Sequence, residues 1–239
     1  MKSLQRDGKQ VDDVSGQAKK KAVAAMPRRE RAAATRRALV LAALQAFSTK
    51  SFDAVAIDDI ADTAGVAHGL AFHYFGSKRG LYLEALREVG RQLGEVHAVE
   101  VDGSAAARIR AMLTRHMRYM SRHRELALHL FRGGLGTDPE AWRIVDASRA
   151  AATAWMAAEL GLDPTHPALR LTLRAFSGAI DEATVHWLAH RRSASLDLLI
   201  DALLEMLRAA LVAATLIDGT LDVTPALRAL GRTPPRSRR

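Results

Sequence analysis

The chain has 239 residues, enough for one large or two small domains, and 49% of them are apolar, which supports a real core. Aromatics make up only 5% while Ala and Leu dominate, a balance that favours helices over sheets, and the formal charge of +9 points to a polyanionic partner. There is no cysteine, which excludes disulfides, thiolate metal sites and cysteine nucleophiles and fits a reducing compartment. No apolar run approaches the roughly 20 residues of a membrane span. Lys2, Arg6, Lys9 and Lys19–Lys21 are followed by no apolar stretch, so the N-terminus does not read as a signal peptide. The expectation is a soluble, cytoplasmic chain without membrane contact.

Residues 1–30 are polar and basic with no apolar period, and read as a disordered arm, solvated rather than DNA-grazing. Pro27 and the arginines at 28, 29 and 31 mark its boundary. Val40, Ala43, Leu44 and Phe47 then fall on one face of a first helix. The stretch that follows, Ile60 to Lys78, reads I-A-D-T-A-G-V-A-H-G-L-A-F-H-Y-F-G-S-K. A short helical run, Asp58 to Ala64, stops at Gly65, which can take the positive φ that a sharp turn requires. A second run, His68 to Tyr74, begins three residues later. Ile60, Ala61 and Val66 supply the apolar wedge that locks two helices at a steep angle, so the spacing predicts a helix-turn-helix over 31–80. Phe52, Val55, Ile57, Leu70 or Ala71, Phe75 and Leu81 close its core.

Lys78 to about Glu100 reads as one long connecting helix, bent or interrupted near Gly90 and Gly94. Helices are predicted over Ser104–His123, Arg124–Phe131, Pro139–Leu160, Pro167–Arg191 and Ser195–Leu216, broken by the glycines at 133, 134 and 136 and by Gly161, Pro164 and Pro167. The fold class is all-α, with a second domain over 81–217. Residues 218–239, with three prolines and four late arginines, read as a flexible basic tail, with at most a turn of helix at Leu227–Leu230. Two broad apolar stripes stand out on the last long helices: Leu169, Leu173, Phe176, Ile180, Ala183 and Trp187, then Leu196, Leu199, Ile200, Leu203, Leu204, Leu207 and Leu211. Such width serves either a core alone or a core and a partner.

From about Thr35 to Leu86 the chain resembles the TetR family of transcriptional regulators. T-R-R-A-L-V-L-A-A-L-Q-A-F is similar to the family's first helix, D-D-I-A-D-T-A-G-V to its second helix and turn, and F-H-Y-F-G-S-K-R-G-L to the end of its recognition helix and the lysine opening the fourth. The resemblance implies a double-stranded DNA operator as partner and a homodimer joined through the last two long helices. It also implies a small-molecule effector held inside the C-terminal domain.

The residues suit that reading. His68, at the start of the second helix, can donate to or accept from a base edge; Gly69 lets the backbone approach the groove; Leu70 suits a thymine methyl or the core. His73 and Tyr74 can reach phosphate or base, Lys78 adds a cation at a helix N-terminus, and Thr35 and Arg36 can clamp the same strand. Ala67, Leu70, Phe72 and Asp58 depart from the family's usual pattern and leave open a helical small-molecule-binding protein with degraded DNA affinity. A ligand-independent or activating regulator is the other alternative.

Met112, His116, Met117, Met120, Phe131, Trp142, Trp155 and Phe176 are candidate cavity residues, with Met and Trp suited to adaptable apolar pockets. With His116 as anchor they suit a lipophilic molecule, planar or cationic ones included. No cofactor is expected. His186 and His190 have metal-ligand spacing, but no Glu sits between them and the helix C-terminus explains a histidine there. G-x-S-x-G, Walker A and G-x-G-x-x-G motifs are absent from the sequence, so an enzyme is not expected. The long helix from Lys78 belongs to both domains and would carry a ligand signal.

Overall fold

The computed structural model describes residues 27–98, 101–129, 131, 138–190 and 194–231. Among them are ten α-helices and no strand. They are α1 (Arg28–Thr49), α2 (Ile57–Ala64), α3 (His68–Phe75), α4 (Lys78–His97), α5 (Ala105–Arg122), α6 (Arg124–His129), α7 (Pro139–Glu159), α8 (Pro167–Ala189), α9 (Leu196–Ile217) and α10 (Thr224–Leu230). The predicted N-terminal arm lies outside the described residues up to residue 26. Its last residues do not remain an arm, since α1 already begins at Arg28.

α1, α2, α3 and the start of α4 enclose the first core. Leu39, Ala43, Phe47, Ile60, Ala61, Ala71 and Leu81 are fully buried. Ala71, and not the half-buried Leu70, is the core residue of α3. Phe47, Phe52 and Tyr82 form an aromatic cluster with ring centroids 5.1–5.8 Å apart. α2 ends as the sequence suggests: Gly65 sits at φ 67° and ψ 37°, and the Gly65 and Val66 amides bond back to the Asp62 and Ala61 carbonyls at 3.0 Å. Ser77 caps α4, accepting from the Gly80 amide at 3.0 Å. Gly80 is the glycine this corner depends on. A Cβ there would stand 2.1 Å from the Phe75 carbonyl oxygen, so only glycine lets α4 start this close to the end of α3.

α4 then runs unbroken through Gly90 and Gly94, where the sequence suggested an interruption. Its apolar face, Leu81 to Leu93, passes from the first core into the second, which α5, α7, α8 and α9 complete. Caps set the starts of these helices: Ser104 for α5, Asp138 for α7 and Ser195 for α9, with Pro167 opening α8. His123 Nδ1 and Ser48 Oγ, 2.8 Å apart, tie the end of α5 to α1.

One prediction changes here, and one open reading narrows. Residues 218–231 are packed and not a loose tail: α10 buries Ala226, and Arg208 of α9 donates to the Leu227 carbonyl at 2.8 Å and also to that of Gly231. The leucine stripes also face inward. Leu169, Leu173, Phe176, Ile200, Leu203, Leu207 and Leu211 are buried within the chain, because α8 and α9 use their widest apolar sides against each other and against α5. The exposed side of the pair is instead Leu171, Ala175 and Gly178 on α8, with Leu198, Ala202, Met206, Ala209, Val212 and Leu216 on α9. No helix among the described residues is long and apolar enough to cross a membrane.

Candidate nucleic-acid interface and effector cavity

α3 projects its outer side from the first domain, and most of the residues singled out for DNA contact lie there. His68, Gly69 and His73 are exposed, and a Cβ on Gly69 would meet nothing within 4 Å, so the backbone there can be approached closely. Tyr74 is half-buried with its ring against His73 and Phe75. Leu70 is half-buried, dividing its surface between core and solvent. Phe72, one of the departures from the family's usual pattern, presents a bare aromatic face at 52% exposure.

Three of the candidate residues have partners within the chain. The imidazole of His68 lies 2.8 Å from the Asp62 carboxylate and 3.5 Å from that of Asp58. The hydrogen bond to Asp62, reinforced by both charges, raises its pKa. Lys78 donates to the Asp53 carbonyl at 3.2 Å and lies 4.7 Å above the Phe52 ring, so it anchors the loop before α2. Arg36 pairs with Glu84 of α4 and sits 5.2 Å over Phe75. Thr35 is half-buried one residue before it, while Arg28, Arg29, Arg31 and Arg37 are exposed on α1.

Arg36 also ends a chain of ion pairs that leads into the second domain. Glu84 accepts from Arg87 at 2.6 Å, and Arg87 pairs with Glu140 of α7 at 2.6 Å. Glu140 lies 3.4 Å from Arg79, whose guanidinium forks onto Asp138 at 2.7 and 2.8 Å. Asp138 also accepts from the Glu140 and Ala141 amides as the cap of α7. Arg79 beside it, then the two amides, hold its carboxyl down at about 2. The start of α7 is thereby fastened to α4 and, through Glu84, to α1.

The same α7 forms one wall of a cavity closed by α4, α5 and α8. Its enclosed part measures about 80 Å³ and is lined mainly by apolar side chains, among them Met112, Met120 and Phe131. A wider hollow of about 500 Å³ adjoins it and shares Gly90, His97, Met112, Ile144, Ser148 and Ala152. Of the residues chosen from sequence, Met112, His116, Met120 and Phe131 reach the enclosed part, and Trp155 lines the wider hollow. Trp142 does not: it is 42% exposed under the Arg174 guanidinium at the start of α7. Phe176 and Met117 are buried but belong to the surrounding core.

Of the polar wall, sequence reasoning found His116 but missed His97, Arg149 and Asp181. His97 of α4 stacks on His116 of α5 with centroids 5.6 Å apart, and neither Nε2 finds a hydrogen-bond partner although both are shielded from solvent. Burial, with Arg115 beside His97, pushes His97 down to about 4; burial, with His97 beside it, pushes His116 down to about 3. Both rings are neutral at pH 7. Across the cavity Arg149 of α7 pairs with Asp181 of α8 at 2.6 Å, both side chains largely covered. Burial lifts Asp181 to about 6 against the pull of Arg149. Among the described residues no group of three or more His, Cys, Asp or Glu can hold a metal. His186 and His190 stack at 4.1 Å, with the His190 Nδ1–H donating to the His186 carbonyl.

Residues 39–85 match the profile described as bacterial regulatory proteins, tetR family, and residues 106–215 match the tetracyclin repressor-like C-terminal domain. The chain belongs to the TetR family of bacterial transcriptional regulators. Over 80 residues it is 38% identical to the HTH-type transcriptional regulator BetI of Rhizobium meliloti (strain 1021), covering 33% of this chain and 39% of that protein. A second BetI, from Agrobacterium fabrum, is 48% identical over 58 residues, 24% of this chain and 28% of its own. These matches span well under half of either relative. A tetR-family transcriptional regulator from Streptomyces coelicolor superposes with a TM-score of 0.73 at 26% identity, over 87% of this chain and 92% of that one. FadR from Bacillus subtilis, solved with stearoyl-CoA, shares the fold at 18% identity and a TM-score of 0.55, over 73% and 98% of the chains.

Proposed function

We propose that the chain is a homodimeric transcriptional repressor that holds a palindromic operator through α2 and α3 and releases it when a small lipophilic molecule enters the cavity. The observation that carries this is the shared use of α4 and α7. α4 begins beside the recognition helix and ends in the cavity wall. α7 lines the cavity and is fastened by Asp138 and Glu140 to Arg79 and Arg87. A molecule that parts α4 from α7 therefore moves the base of α3. It must bind the DNA-incompetent arrangement better, since equal affinity for both arrangements shifts nothing.

Dimerisation has a physical motive: one helix-turn-helix reads too few base pairs, and two on a two-fold axis read two half-sites. The exposed side of α8 and α9 supports that partner role. It is mainly apolar, and Ala175, Gly178, Ala202 and Ala209 lie between its larger side chains, so two copies can approach closely. The predicted readers remain His68, Gly69 and Leu70 for bases, with Thr35, His73 and Tyr74 for the strand, and Phe72 joins them as an apolar contact for sugar or thymine methyl.

One observation favours the second reading, in which DNA affinity has decayed. Asp58 and Asp62 flank His68 and repel phosphate, and Lys78 is engaged within the chain. Salt-dependent retention on duplex DNA separates the two readings. A repressor binds more tightly at low salt with a sequence preference, whereas a decayed one shows neither.

A further inference from the structure

The effector reading leaves the chemistry of the ligand open, and the cavity wall narrows it. We propose that the cavity takes an apolar molecule bearing a single carboxylate, its head group received by Arg149 and the His97–His116 pair and its apolar body running into the wider hollow. This rests on the effector reading above and deepens it.

The unused hydrogen-bonding capacity of the wall is what selects the head group. Arg149 spends one Nη on Asp181, and its Nε–H, also buried, has no acceptor. A buried guanidinium N–H without an acceptor is costly, and a ligand oxygen relieves it. The Nε2 atoms of His97 and His116 are likewise unmatched, and a neutral imidazole turns an N–H toward an acceptor by choice of tautomer. Three unmatched groups on α4, α5 and α7 therefore converge on one hollow, and each can donate. The carboxylate in the same wall is already taken, because Asp181 has Arg149 as its partner. Asp181 also yields easily: burial has raised it to about 6, so it takes a proton when a second anion competes for the guanidinium.

A cationic ligand finds no comparable seat. Phe131 is the one Phe, Tyr or Trp ring among the described lining of the enclosed part, and the Arg149 guanidinium already covers it at 5.7 Å. The enclosed part therefore does not suit the cationic effector that the sequence allowed. Room for the apolar body comes from the wider hollow, where Gly90, Gly94, Ala98, Ala147 and Ala151 are small, with Trp155 and Arg87 also in its lining. A Cβ on Gly90 would meet nothing within 4 Å, so a side chain placed there projects into open space.

The test uses the full chain and three probes of one length: decanoate, decanol and decylamine, titrated by calorimetry at pH 7.5. Decanoate should bind about tenfold tighter than either partner, the gain of one charge-assisted hydrogen bond. In the double variant Arg149→Met/Asp181→Leu, which removes both charges together, decanoate should fall to the level of decanol while decanol is unchanged. His116→Phe keeps the stack and should weaken decanoate alone. Gly90→Leu should block all three. If the three probes bind equally, or decylamine or decanol binds tighter, or the double variant keeps its preference for decanoate, the head-group proposal is overturned and the cavity reading stands. If none of the three binds the wild-type chain, the cavity is not an effector site for such molecules and both readings fall.

Discussion

The stacked histidines make a prediction whose size can be worked from the structure. His97 and His116 are neutral in the fold, held near 4 and near 3 by burial, and titrate at about 6.5 once the chain unfolds. Their folded values are depressed, so between these limits the unfolded chain binds more protons than the folded one. Stability is then fully present above pH 6.5 and is lost as pH falls toward 4. At pH 5 each ring has crossed about 1.5 pH units, worth about 2 kcal/mol at about 1.36 kcal/mol per unit. Both residues are half-buried and not fully enclosed, and halving for solvent leaves about 1 kcal/mol each. The pair should therefore lower the melting temperature by about 4–8 °C between pH 7 and pH 5. Asp181 works the other way, costing stability as pH rises from 4 through 6. For that reason the assay compares the wild type with His97→Leu/His116→Met, in which Asp181 is unchanged. Thermal melts from pH 7 to pH 5 should show a flatter dependence for the variant by that amount. Equal slopes would mean that the imidazoles are solvated or charged in the fold, and the argument from their burial would fail.

Other consequences follow from the interface, the dimer face and the ion-pair chain. Asp62→Asn removes a charge that repels phosphate and should strengthen binding to duplexes of every sequence, read by fluorescence anisotropy; weaker binding would place Asp62 away from the backbone. His68→Ala should relax base preference at one position per half-site by roughly 1–3 kcal/mol, and a loss uniform over all sequences would show that it reads no base. Leu198→Arg/Leu216→Arg changes exposed side chains, so the melting point should move by no more than a degree or two while the chain elutes as a monomer; a folded dimer would put the interface elsewhere. Arg87→Met cuts the link between Glu140 and Glu84, two partly exposed pairs worth about 0.2–1 kcal/mol each. Ligand binding and DNA binding should each survive in this variant while ligand-induced release weakens, and unchanged release would remove this chain of pairs from the mechanism.

How much was readable in advance depended on how local the determinant is. The helix-turn-helix rests on spacings within twenty residues, and Gly65 marks its turn by a left-handed conformation that glycine adopts without the penalty other residues carry. Asp138 and Ser77 could have been read as caps in the same way. Gly80 could not, because what it avoids is a carbonyl five residues earlier whose position depends on how α3 ends. The leucine stripes revealed two amphipathic helices but not which side meets a partner; Leu203 and Leu207 look like an interface until α5 and α8 are seen to cover them. Their opposite side mixes Leu171, Leu198, Met206, Val212 and Leu216 with alanines and a glycine, and its apolar positions merge with the core stripe in the sequence until the packing separates the two. The cavity was half readable. Met112, His116 and Met120 lie on one face of α5 and announced themselves by type. His97, Arg149 and Asp181 come from three different helices, and each looks like an ordinary polar position until those helices pack. Trp142 drew attention by its size, but it falls at the exposed start of α7, where Arg174 covers it.

Recovery of genomic DNA on the purified full-length chain, followed by footprinting of the retained fragments, bears most directly on the claim that this is an operator-binding regulator. A two-fold protected site is expected, with half-site centres about 34–36 Å apart or a multiple of one duplex turn, and protection should vanish when the cavity is filled. Absence of any sequence preference at low salt, or protection of one unpaired half-site unaffected by ligand, would contradict the account.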